Sequence, residues 1–333
     1  MIILGIETSC DETAASVLKI ERGRFFILSS IVSSQIDIHR PYGGVVPELA
    51  ARNHIINILP VINQALTKAK VKPAGIDRIA TTTGPGLITA LLIGVETARV
   101  LAQQWQKPII ATNHLKGHLY SSWLENKPIR YPALCLIVSG GHTELILMKS
   151  SQSLKKIGAT LDDAAGESFD KVAQMLGLGY PGGPAISKLA KTGNAAAFKF
   201  PRPMVNEPNF NFSFAGLKTA VLYTKNKLPK IDQQTKADLA ASFQQAATDV
   251  LVQKTIKAAQ HYKAKTVMLT GGVAANRQLR VELGQAVGKI KASFIVPPIK
   301  LCTDNAAIIA AAGYFAKPSP WQKLTADPNL EIR

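Results

Sequence analysis

The chain has 333 residues, of which 47% are hydrophobic and 18% are charged. This composition excludes a disordered chain and a coiled coil, and the length is typical of about two domains. The formal net charge of +17 favours a polyanionic partner such as nucleic acid or an anionic membrane.

Neither a targeting segment nor a membrane span is predicted. The opening residues MIILGIETSC lack a basic region and turn polar after six positions, unlike a signal peptide. The longest apolar stretch, Gly86 to Ala102, contains Glu96 and Arg99 and so does not resemble a spanning helix. The three cysteines form no CxxC pair, which argues against a disulfide scaffold or a zinc ribbon and favours a reduced, cytoplasmic protein.

Apolar runs separated by turns predict alternating strands and helices in the N-terminal part of the chain. The predicted strands are Ile2–Ile6, Ala14–Ile20, Phe25–Ser34, Ile76–Thr83 and Pro108–Ala111. The predicted helices are Pro47–Lys70 and about Leu87–Gln103. A polar turn, Glu7–Thr13, joins the first two strands.

The second half of the chain repeats the opening pattern. LIVSGGHTELIL parallels LGIETSCDETAASVL, which indicates a duplicated domain. Further strands are predicted at Thr266–Thr270 and Ala292–Val296, and helices at Ala274–Val287 and Asp304–Phe315. We therefore predict an α/β protein with an N-terminal domain at 1–130, a C-terminal domain at 131–317 with a helical insertion at about 165–261, and a loose tail at 318–333.

Two histidines, His114 and His118, are four residues apart. On a helix both side chains point the same way and can share a metal ion. Leu115 follows the first histidine, so the HExxH pattern of metalloproteases is absent. The same spacing also fits two surface or capping histidines near a glycine, and Asp304 is one candidate among many carboxylates for a third ligand.

Glycine-rich turns allow the backbone to approach an anionic ligand. Four such turns favour a nucleotide cleft, although neither a P-loop nor a GxGxxG pattern occurs. They are Gly84–Gly86, Ser139–Gly141, Pro181–Pro184 and Gly271–Gly272.

Acidic residues provide two further candidates. The turn Glu7–Thr13 could hold a metal–phosphate unit, act as an acid or base, or be an ordinary solvated turn. Within DDAAGESFDK, Glu167 and Lys171 are spaced for an ion pair on a helix, whereas Asp170 could hold ribose hydroxyls. No Ser/His/Asp triad can be argued from spacing, and Cys10 is more typical of a small buried residue than of a nucleophile.

Positive charge is concentrated in residues 251–303, which hold nine Lys and Arg residues and one acidic residue, Glu282. Because aromatic residues are few, contact with the phosphate backbone of a structured RNA is favoured over base stacking. A solvated basic face explains the pattern equally well. The nine residues are Lys254, Lys257, Lys263, Lys265, Arg277, Arg280, Lys289, Lys291 and Lys300.

Ten motifs, taken in order, resemble the TsaD family and its Kae and OSGEP relatives, the tRNA N6-adenosine threonylcarbamoyltransferases. The resemblance extends from about Ile2 to Gly313. The motifs are IETSCDET, VVPELAARNH, TTTGPGL, NHLKGH, VSGGHTEL, DDAAGESFDKVA, YPGGP, FSFAGLKTA, LTGGVAANRQLR and CTDNAA.

This resemblance implies an ASKHA (actin-like ATPase) fold with two RNase-H-like domains and an interdomain cleft. It also implies a reaction in which threonylcarbamoyl-adenylate donates its threonylcarbamoyl group to N6 of adenosine 37, in tRNAs that read codons beginning with A. The implied partners are a TsaB-like homologue, which pairs through the N-terminal domain, and a TsaE-like P-loop ATPase, with no membrane.

The resemblance also implies site residues. The metal ligands fall on His114, His118 and Asp304. The adenylate-binding residues fall on Ile137, Val138, Ser139, Gly140 and Gly141, and the substrate site is completed by Asp170 at the ribose, Gly183, and Asn276 near the adenine. Asp11 falls where the family keeps an acidic residue near the transfer centre, and it is a catalytic candidate.

Two positions depart from the family pattern. Lys116 replaces the Glu of the family's HxEGH motif, which changes the local charge but removes no ligand. Ile137 stands where archaeal relatives have a tyrosine near the metal, and it cannot ligate. Two histidines and one carboxylate suit Fe(II) or Zn(II), and the family favours iron.

Three rival functions predict different features. A sugar kinase or chaperone ATPase on the same fold would need an acidic phosphate site and no histidine pair. A metalloprotease would need a base beside the metal, where Leu115 stands. A non-enzymatic RNA-binding subunit would not need His114, His118 and Asp304 together.

Overall fold

The computed structural model describes residues 1–332, and the chain divides into two compact units. The first unit comprises Met1–Pro128 together with the residues from Pro297 onward. The second unit comprises Ile129–Val296. The chain thus passes from the first unit to the second between Pro128 and Ile129, where the sequence analysis placed a domain boundary at 130.

Each unit is built on one five-stranded sheet. The first sheet contains β1 (Ile2–Glu7), β2 (Glu12–Glu21), β3 (Arg24–Ser34), β4 (Arg78–Gly84) and β5 (Ile109–Asn113). The second sheet contains β6 (Ala133–Val138), β7 (Thr143–Met148), β8 (Leu154–Ala159), β9 (Thr266–Thr270) and β10 (Ser293–Ile295). All strands predicted from the sequence are present, and β8 is additional.

The two sheets have the same topology. Their strand orders are β3-β2-β1-β4-β5 and β8-β7-β6-β9-β10. In each sheet the central strand, β1 or β6, is antiparallel to its hairpin partner and parallel to the strand on its other side. This shared order confirms the repeat and matches the RNase-H-like arrangement that the resemblance implied.

Within residues 1–332, ten α-helices accompany the sheets. They are α1 (Ile36–His39), α2 (Pro47–Ala69), α3 (Ile88–Trp105), α4 (His114–Tyr120), α5 (Ala165–Met175), α6 (Gly182–Leu189), α7 (Ala215–Lys227), α8 (Gln233–His261), α9 (Arg277–Lys289) and α10 (Ala306–Phe315). Helices α5 to α8 form the helical stretch predicted after residue 165. Within residues 1–332, no helix has both the length and the apolar character needed to cross a membrane.

Asparagine caps set the start of three helices that carry or adjoin candidate site residues. The side-chain oxygen of Asn113 accepts a hydrogen bond from the main-chain N–H of Lys116 at the start of α4. Asn276 caps α9 and Asn305 caps α10 in the same way. Such caps satisfy N–H groups that have no partner within the helix, and each stabilises its helix by about 1 kcal/mol.

Two predictions about the C-terminal part are wrong. Residues 297–317 were assigned to the C-terminal domain, but they belong to the first unit, where the apolar helix α10 packs on β1 and β2. Residues 318–332 do not form a loose tail either, and the last residue of the predicted tail lies outside the described residues. Ser319 N–H donates to the carbonyl of Ile109 at 2.9 Å, and Leu324 is buried in the core of the first unit.

Candidate metal centre and substrate site

His114, His118 and Asp304 meet in the first unit. Nε2 of His114 lies 3.5 Å from Oδ1 of Asp304, and Nε2 of His118 lies 3.2 Å from the same oxygen. One ligand atom from each residue can be chosen so that all three lie within 4.8 Å of one another. The predicted pair on one helix and the distant carboxylate therefore come together at a distance that suits one metal ion.

Close packing of α4 on α10 produces this arrangement. A Cβ atom at Gly117 would lie 2.7 Å from Cδ1 of Ile309, so a larger residue here would require the Ile309 side chain to move. Oδ1 of Asn305 accepts hydrogen bonds from the N–H groups of Ala307 and Ile308, at 3.1 and 3.2 Å. Because α10 starts at this cap, Asp304 lies just outside the helix and faces the histidines.

Glu7 orients His114. This fully buried carboxylate belongs to the last residue of β1, and its Oε2 lies 3.2 Å from Nδ1 of His114. Oε2 also accepts a hydrogen bond from the hydroxyl of Thr82 at 2.6 Å, and the hydroxyl of Ser9 lies 3.1 Å from the same Nδ1. A proton on Nδ1 directed at Glu7 leaves Nε2 to act as the ligand.

The charge around His114 is strongly negative. Burial by itself would lower the pKa of His114, but the carboxylates of Asp304 and Glu7 outweigh burial and raise this pKa to about 9. The centre therefore attracts a positive charge at neutral pH, either a proton or a metal ion.

His118 provides the observation that fits a metal ion. Its side chain is fully buried, and within residues 1–332 neither ring nitrogen makes a hydrogen bond, although Nε2 lies 3.2 Å from Asp304. A buried polar atom without a partner costs about 1–3 kcal/mol. A divalent cation on Nε2 would remove this cost for one nitrogen, so the residues present fit such a group.

Asp11, in the turn after β1, and Glu12, the first residue of β2, are neighbouring carboxyl groups whose side chains share a hydrogen bond. Burial raises the pKa of Glu12 well above its ordinary value, and the charges of Asp304 and Asp11 raise it further. This shift favours the protonated form of Glu12, which can donate to the carboxylate of Asp11. Burial likewise raises the pKa of Cys10, which keeps this residue a thiol and disfavours it as a nucleophile.

His54, on α2, contacts both sides of the same turn. Its Nδ1 lies 2.8 Å from the hydroxyl of Thr13, and its Nε2 lies 3.0 Å from the carbonyl oxygen of Cys10. Donation from Nε2–H to the carbonyl leaves Nδ1 to accept from the hydroxyl, so a neutral imidazole satisfies both contacts. His54 thus ties together the two ends of the segment that carries Asp11.

In the second unit, Ser139–Gly141 form the turn between β6 and β7. Ser139 N–H donates to the carbonyl of His142 at 2.8 Å. Within residues 1–332, a Cβ atom at Gly140 or Gly141 would meet no atom within 4 Å, so there is open space beside these two α-carbons. Ile137 and Val138 differ, because their side chains are fully buried in β6. These two residues can shape the turn, but their side chains cannot contact a ligand.

Asp170 and Gly183 lie beside each other. Oδ1 of Asp170, on α5, accepts a hydrogen bond from Gly182 N–H at 2.8 Å, at the first residue of α6. Among the described residues, no atom lies within 4 Å of a Cβ atom built on Gly183. The start of α5 also contacts the glycine-rich turn, since Gly166 N–H donates to the carbonyl of Ser139 at 3.2 Å. Helix α5 therefore links the turn to Asp170.

Asn276 is held by a hydrogen-bond network that the sequence did not predict. Its Nδ2 donates to the hydroxyl of Ser187 at 3.1 Å and to Oε1 of Gln244 at 2.9 Å. Its Oδ1 accepts from Leu279 N–H at 3.0 Å. Both amide hydrogens are used, so a ligand can reach only the second lone pair of Oδ1.

The sequence comparisons identify the family. A sequence model described as TsaD, tRNA N6-adenosine threonylcarbamoyltransferase, matches residues 26–311. A curated relative from Thermosipho melanesiensis, named tRNA N6-adenosine threonylcarbamoyltransferase, is 54% identical over 314 residues, which cover 94% of each chain. The chain belongs to the TsaD family. A relative of the same name from Thermosipho africanus is 50% identical over 335 residues and covers 100% of both chains.

Solved structures of low sequence identity share the fold. The HypF structure from T. kodakarensis aligns with a TM-score of 0.64 at 14% identity, over 94% of this chain and 47% of that chain. An activator of the 2-hydroxyisocaproyl-CoA dehydratase from Clostridium difficile aligns with a TM-score of 0.51 at 14% identity, over 95% of both chains. Both comparisons agree with the predicted ASKHA fold.

TsaD membership establishes the class of reaction. The chain is a transferase that acts on tRNA, and it transfers a threonylcarbamoyl group to N6 of an adenosine. The family assignment thereby excludes the sugar kinase, the metalloprotease and the non-enzymatic RNA-binding subunit as functions of this TsaD chain.

The basic residues predicted to contact RNA do not all face solvent. Lys254 is fully buried, and its Nζ donates to the carbonyl of Asn209 at 2.8 Å. It anchors the segment before α7 to α8 and cannot reach tRNA. Arg280 is only partly exposed and donates to the carbonyl of Ala274. The exposed members of the set are Lys257, Lys263, Lys265, Arg277, Lys289, Lys291 and Lys300.

Proposed function

We propose that this TsaD chain transfers the threonylcarbamoyl group of threonylcarbamoyl-adenylate to N6 of adenosine 37 in tRNAs that read codons beginning with A. His114, His118 and Asp304 would hold one divalent metal ion, with Fe(II) favoured and Zn(II) possible. The observation that carries the proposal is the buried His118, whose ring nitrogens have no hydrogen bond and of which Nε2 lies 3.2 Å from Asp304.

The donor's chemistry explains why no covalent nucleophile is needed. A carbamoyl-adenylate is a mixed anhydride and is already activated. N6 of adenosine attacks the carbamoyl carbon, a C–N bond forms, and the C–O bond to the phosphate breaks so that AMP leaves with the electron pair. The amine loses one proton in the process. A bound divalent metal would supply Lewis acidity at the donor's oxygens.

Residues of this chain have separate roles in the proposed reaction. Asp11 is the proposed proton acceptor for N6, held in place by the hydrogen bond with Glu12. The main-chain N–H groups of Gly140 and Gly141 would stabilise the developing oxyanion or bind the AMP phosphate. Asp170 would bind the ribose hydroxyls, and Oδ1 of Asn276 would accept a hydrogen bond from the adenine amino group.

A single-turnover assay tests this function. The protein is mixed with preformed threonylcarbamoyl-adenylate, tRNA and the partner proteins, and the tRNA is digested to nucleosides for mass spectrometry. We expect threonylcarbamoyl-adenosine together with one equivalent of AMP. Release of AMP without modified nucleoside would contradict the proposed acceptor.

An exposed aliphatic patch on α2 and α3 is the proposed docking surface for a TsaB-like partner. Ile55, Ile56 and Leu59 on α2 are 64%, 69% and 60% exposed, and Val100 on α3 is 62% exposed. Ile55, Leu59 and Val100 line one groove between α2 and α3, two helices that pack on each other. The resemblance implies pairing through this N-terminal part, and a TsaE-like ATPase is the second partner that it implies.

Leu59→Glu is expected to weaken binding of a TsaB-like protein by about 100-fold or more, because it buries a charge in an apolar interface. Titration by calorimetry or analytical ultracentrifugation measures the change. The matched control is Tyr223→Glu, which alters a residue of similar exposure (63%) on α7 of the second unit. Equal binding by wild type and Leu59→Glu would exclude this patch.

Binding of tRNA is expected to weaken steeply with salt, because lysines that contact phosphates displace counterions. Four exposed lysines lie just before the adjacent strands β9 and β10: Lys263, Lys265, Lys289 and Lys291. Replacing all four by Gln should reduce the slope of log affinity against log salt by up to about four.

Filter binding at several salt concentrations measures this slope. Lys155→Gln, an exposed lysine on β8, is the control. A slope that is flat for wild type would contradict a phosphate-based interface, and an unchanged slope in the quadruple variant would exclude these four lysines.

A further inference from the structure

The segment from Asp327 to Leu330 closes over the turn after β4. Asp327 N–H donates to the carbonyl of Thr83 at 2.7 Å, and Gly86 N–H donates to the carbonyl of Pro328 at 3.2 Å. A Cβ atom at Gly84 would lie 1.8 Å from the carbonyl oxygen of Asp327, so the two chain segments touch directly. Asp327–Leu330 lies beyond the residues matched by the TsaD family model, which end at 311.

The same segment contacts Asn113, the N-cap of α4, which is the helix that carries His114 and His118. The carbonyl of Leu330 accepts a hydrogen bond from Nδ2 of Asn113 at 2.9 Å. Oδ1 of Asn113 simultaneously caps α4 by accepting from Lys116 N–H at 3.1 Å. The carboxamide of Asn113 is therefore fixed at both ends, and His114 is the next residue in the chain.

A second chain of contacts, which forms a second route, connects this segment to the Nδ1 side of the His114 ring. Gly86, which is held by Pro328, precedes Leu87, whose N–H donates to the carbonyl of Ser9 at 2.8 Å. The hydroxyl of Ser9 lies 3.1 Å from Nδ1 of His114. The segment thus supports the main chain next to His114 and also a side chain that contacts its ring.

We propose that Asp327–Leu330 is a positioning segment for the metal centre, acting through Asn113 on the start of α4 and through Gly86 on Ser9. The inference rests on the metal centre of the proposed function. Groups that orient a metal ligand commonly change metal affinity 10- to 100-fold when they are removed. Asn113 and the segment act on ligand geometry and need not touch metal or substrate.

Truncation after Ala326 and the substitution Asn113→Ser test this proposal. The truncation removes both routes but keeps Leu324 in the core. Serine keeps an oxygen for the cap of α4 but lacks the amide nitrogen that bonds to Leu330. Asn329→Ala, at an exposed residue of the same segment, is the control.

Two measurements are made on each protein. Hydrogen exchange of the metal-free protein reports on the amides of residues 116–120, and competition with a chromogenic chelator reports on Zn(II) affinity. We expect exchange to become at least about tenfold faster in the truncated chain. Zn(II) affinity should fall 10- to 100-fold on truncation and about tenfold in Asn113→Ser, while Asn329→Ala should match wild type.

Adding Asn113→Ser to the truncated chain should cost no further affinity, because its partner is already gone. A folded truncated chain with wild-type exchange and wild-type Zn(II) affinity would overturn the proposal. If the truncated chain does not fold, wild-type values for Asn113→Ser would overturn it. If wild type binds no Zn(II), the proposed metal centre fails for that ion, and the exchange rates alone decide whether the segment holds α4.

Discussion

His118→Gln is expected to abolish stoichiometric metal binding and to lower the single-turnover rate of transfer by about 100-fold or more. Glutamine occupies a similar volume but lacks the imidazole nitrogen, and loss of metal-ion stabilisation of several kcal/mol corresponds to a rate loss of this size. Elemental analysis of the purified protein and the rate of tRNA modification measure the two effects.

His39→Gln is the matched control for this substitution. His39 is also fully buried, but its Nδ1 accepts a hydrogen bond from Val46 N–H at 3.2 Å and it lies outside the metal centre. We expect this variant to keep its metal ion. A full complement of metal in His118→Gln, or an equal loss in His39→Gln, would show that the trio is not the binding site.

Asp170→Ala is expected to weaken binding of the adenylate donor about ten- to a hundredfold, with a much smaller effect on the rate at saturating donor. An unpaired buried ribose hydroxyl costs about 1–3 kcal/mol, which gives this change in affinity. An interaction that is equally strong in the ground state and the transition state changes the donor concentration that gives half the maximal rate. It does not change the maximal rate itself. Single-turnover rates over a range of donor concentrations separate the two quantities.

Two variants show whether this loss comes from the ribose. Asp170 also accepts a hydrogen bond from Gly182 N–H, and Asp170→Asn keeps an oxygen for that bond while it removes the charge. Glu167→Ala alters a half-exposed carboxylate on the same helix that pairs with Lys171 at 2.7 Å, and it should leave donor affinity unchanged. Loss of the maximal rate with normal donor affinity in Asp170→Ala would disprove the binding role.

Local patterns predicted most of the fold because they depend on neighbouring residues. Continuous apolar runs such as ALCLIV identified buried strands, and the repeated hairpins identified the duplication. Strand β8, with the sequence LKKIGA, was missed because its adjacent lysines are exposed and interrupt the apolar pattern. The C-terminal segment was missed because its partners, such as Thr83 and Ile109, are distant in sequence.

The candidate site was predicted in part by spacing and in part by resemblance. The four-residue spacing of His114 and His118 is a local property and was sufficient to pair them. Nothing local connects Asp304 to this pair, and only the resemblance to the TsaD family selected it from the other carboxylates. The roles of Glu7 and His54 depend on contacts between distant strands and helices, so spacing could not reveal them. A carboxylate that ends a buried apolar strand is the signal that could have identified Glu7.

Charge counting was informative for the whole chain but not for single residues. Nine basic residues in 251–303 indicated a polyanionic partner, which agrees with a TsaD enzyme that acts on tRNA. Lys254 nevertheless points into the protein, where main-chain carbonyls replace water around its ammonium group. Burial lowers the pKa of this lysine. Sequence alone does not distinguish such an anchor from a surface lysine.

Incorporation of label from threonylcarbamoyl-adenylate carrying radioactive threonine is the most direct test of the proposed reaction. The acceptors are a tRNA that reads A-starting codons and the same tRNA with guanosine in place of adenosine 37, each with the wild-type protein and its partners. We predict nearly stoichiometric label in the first tRNA and none in the second. Equal label in both tRNAs, or label on the protein and not on tRNA, would contradict direct transfer to N6 of adenosine 37.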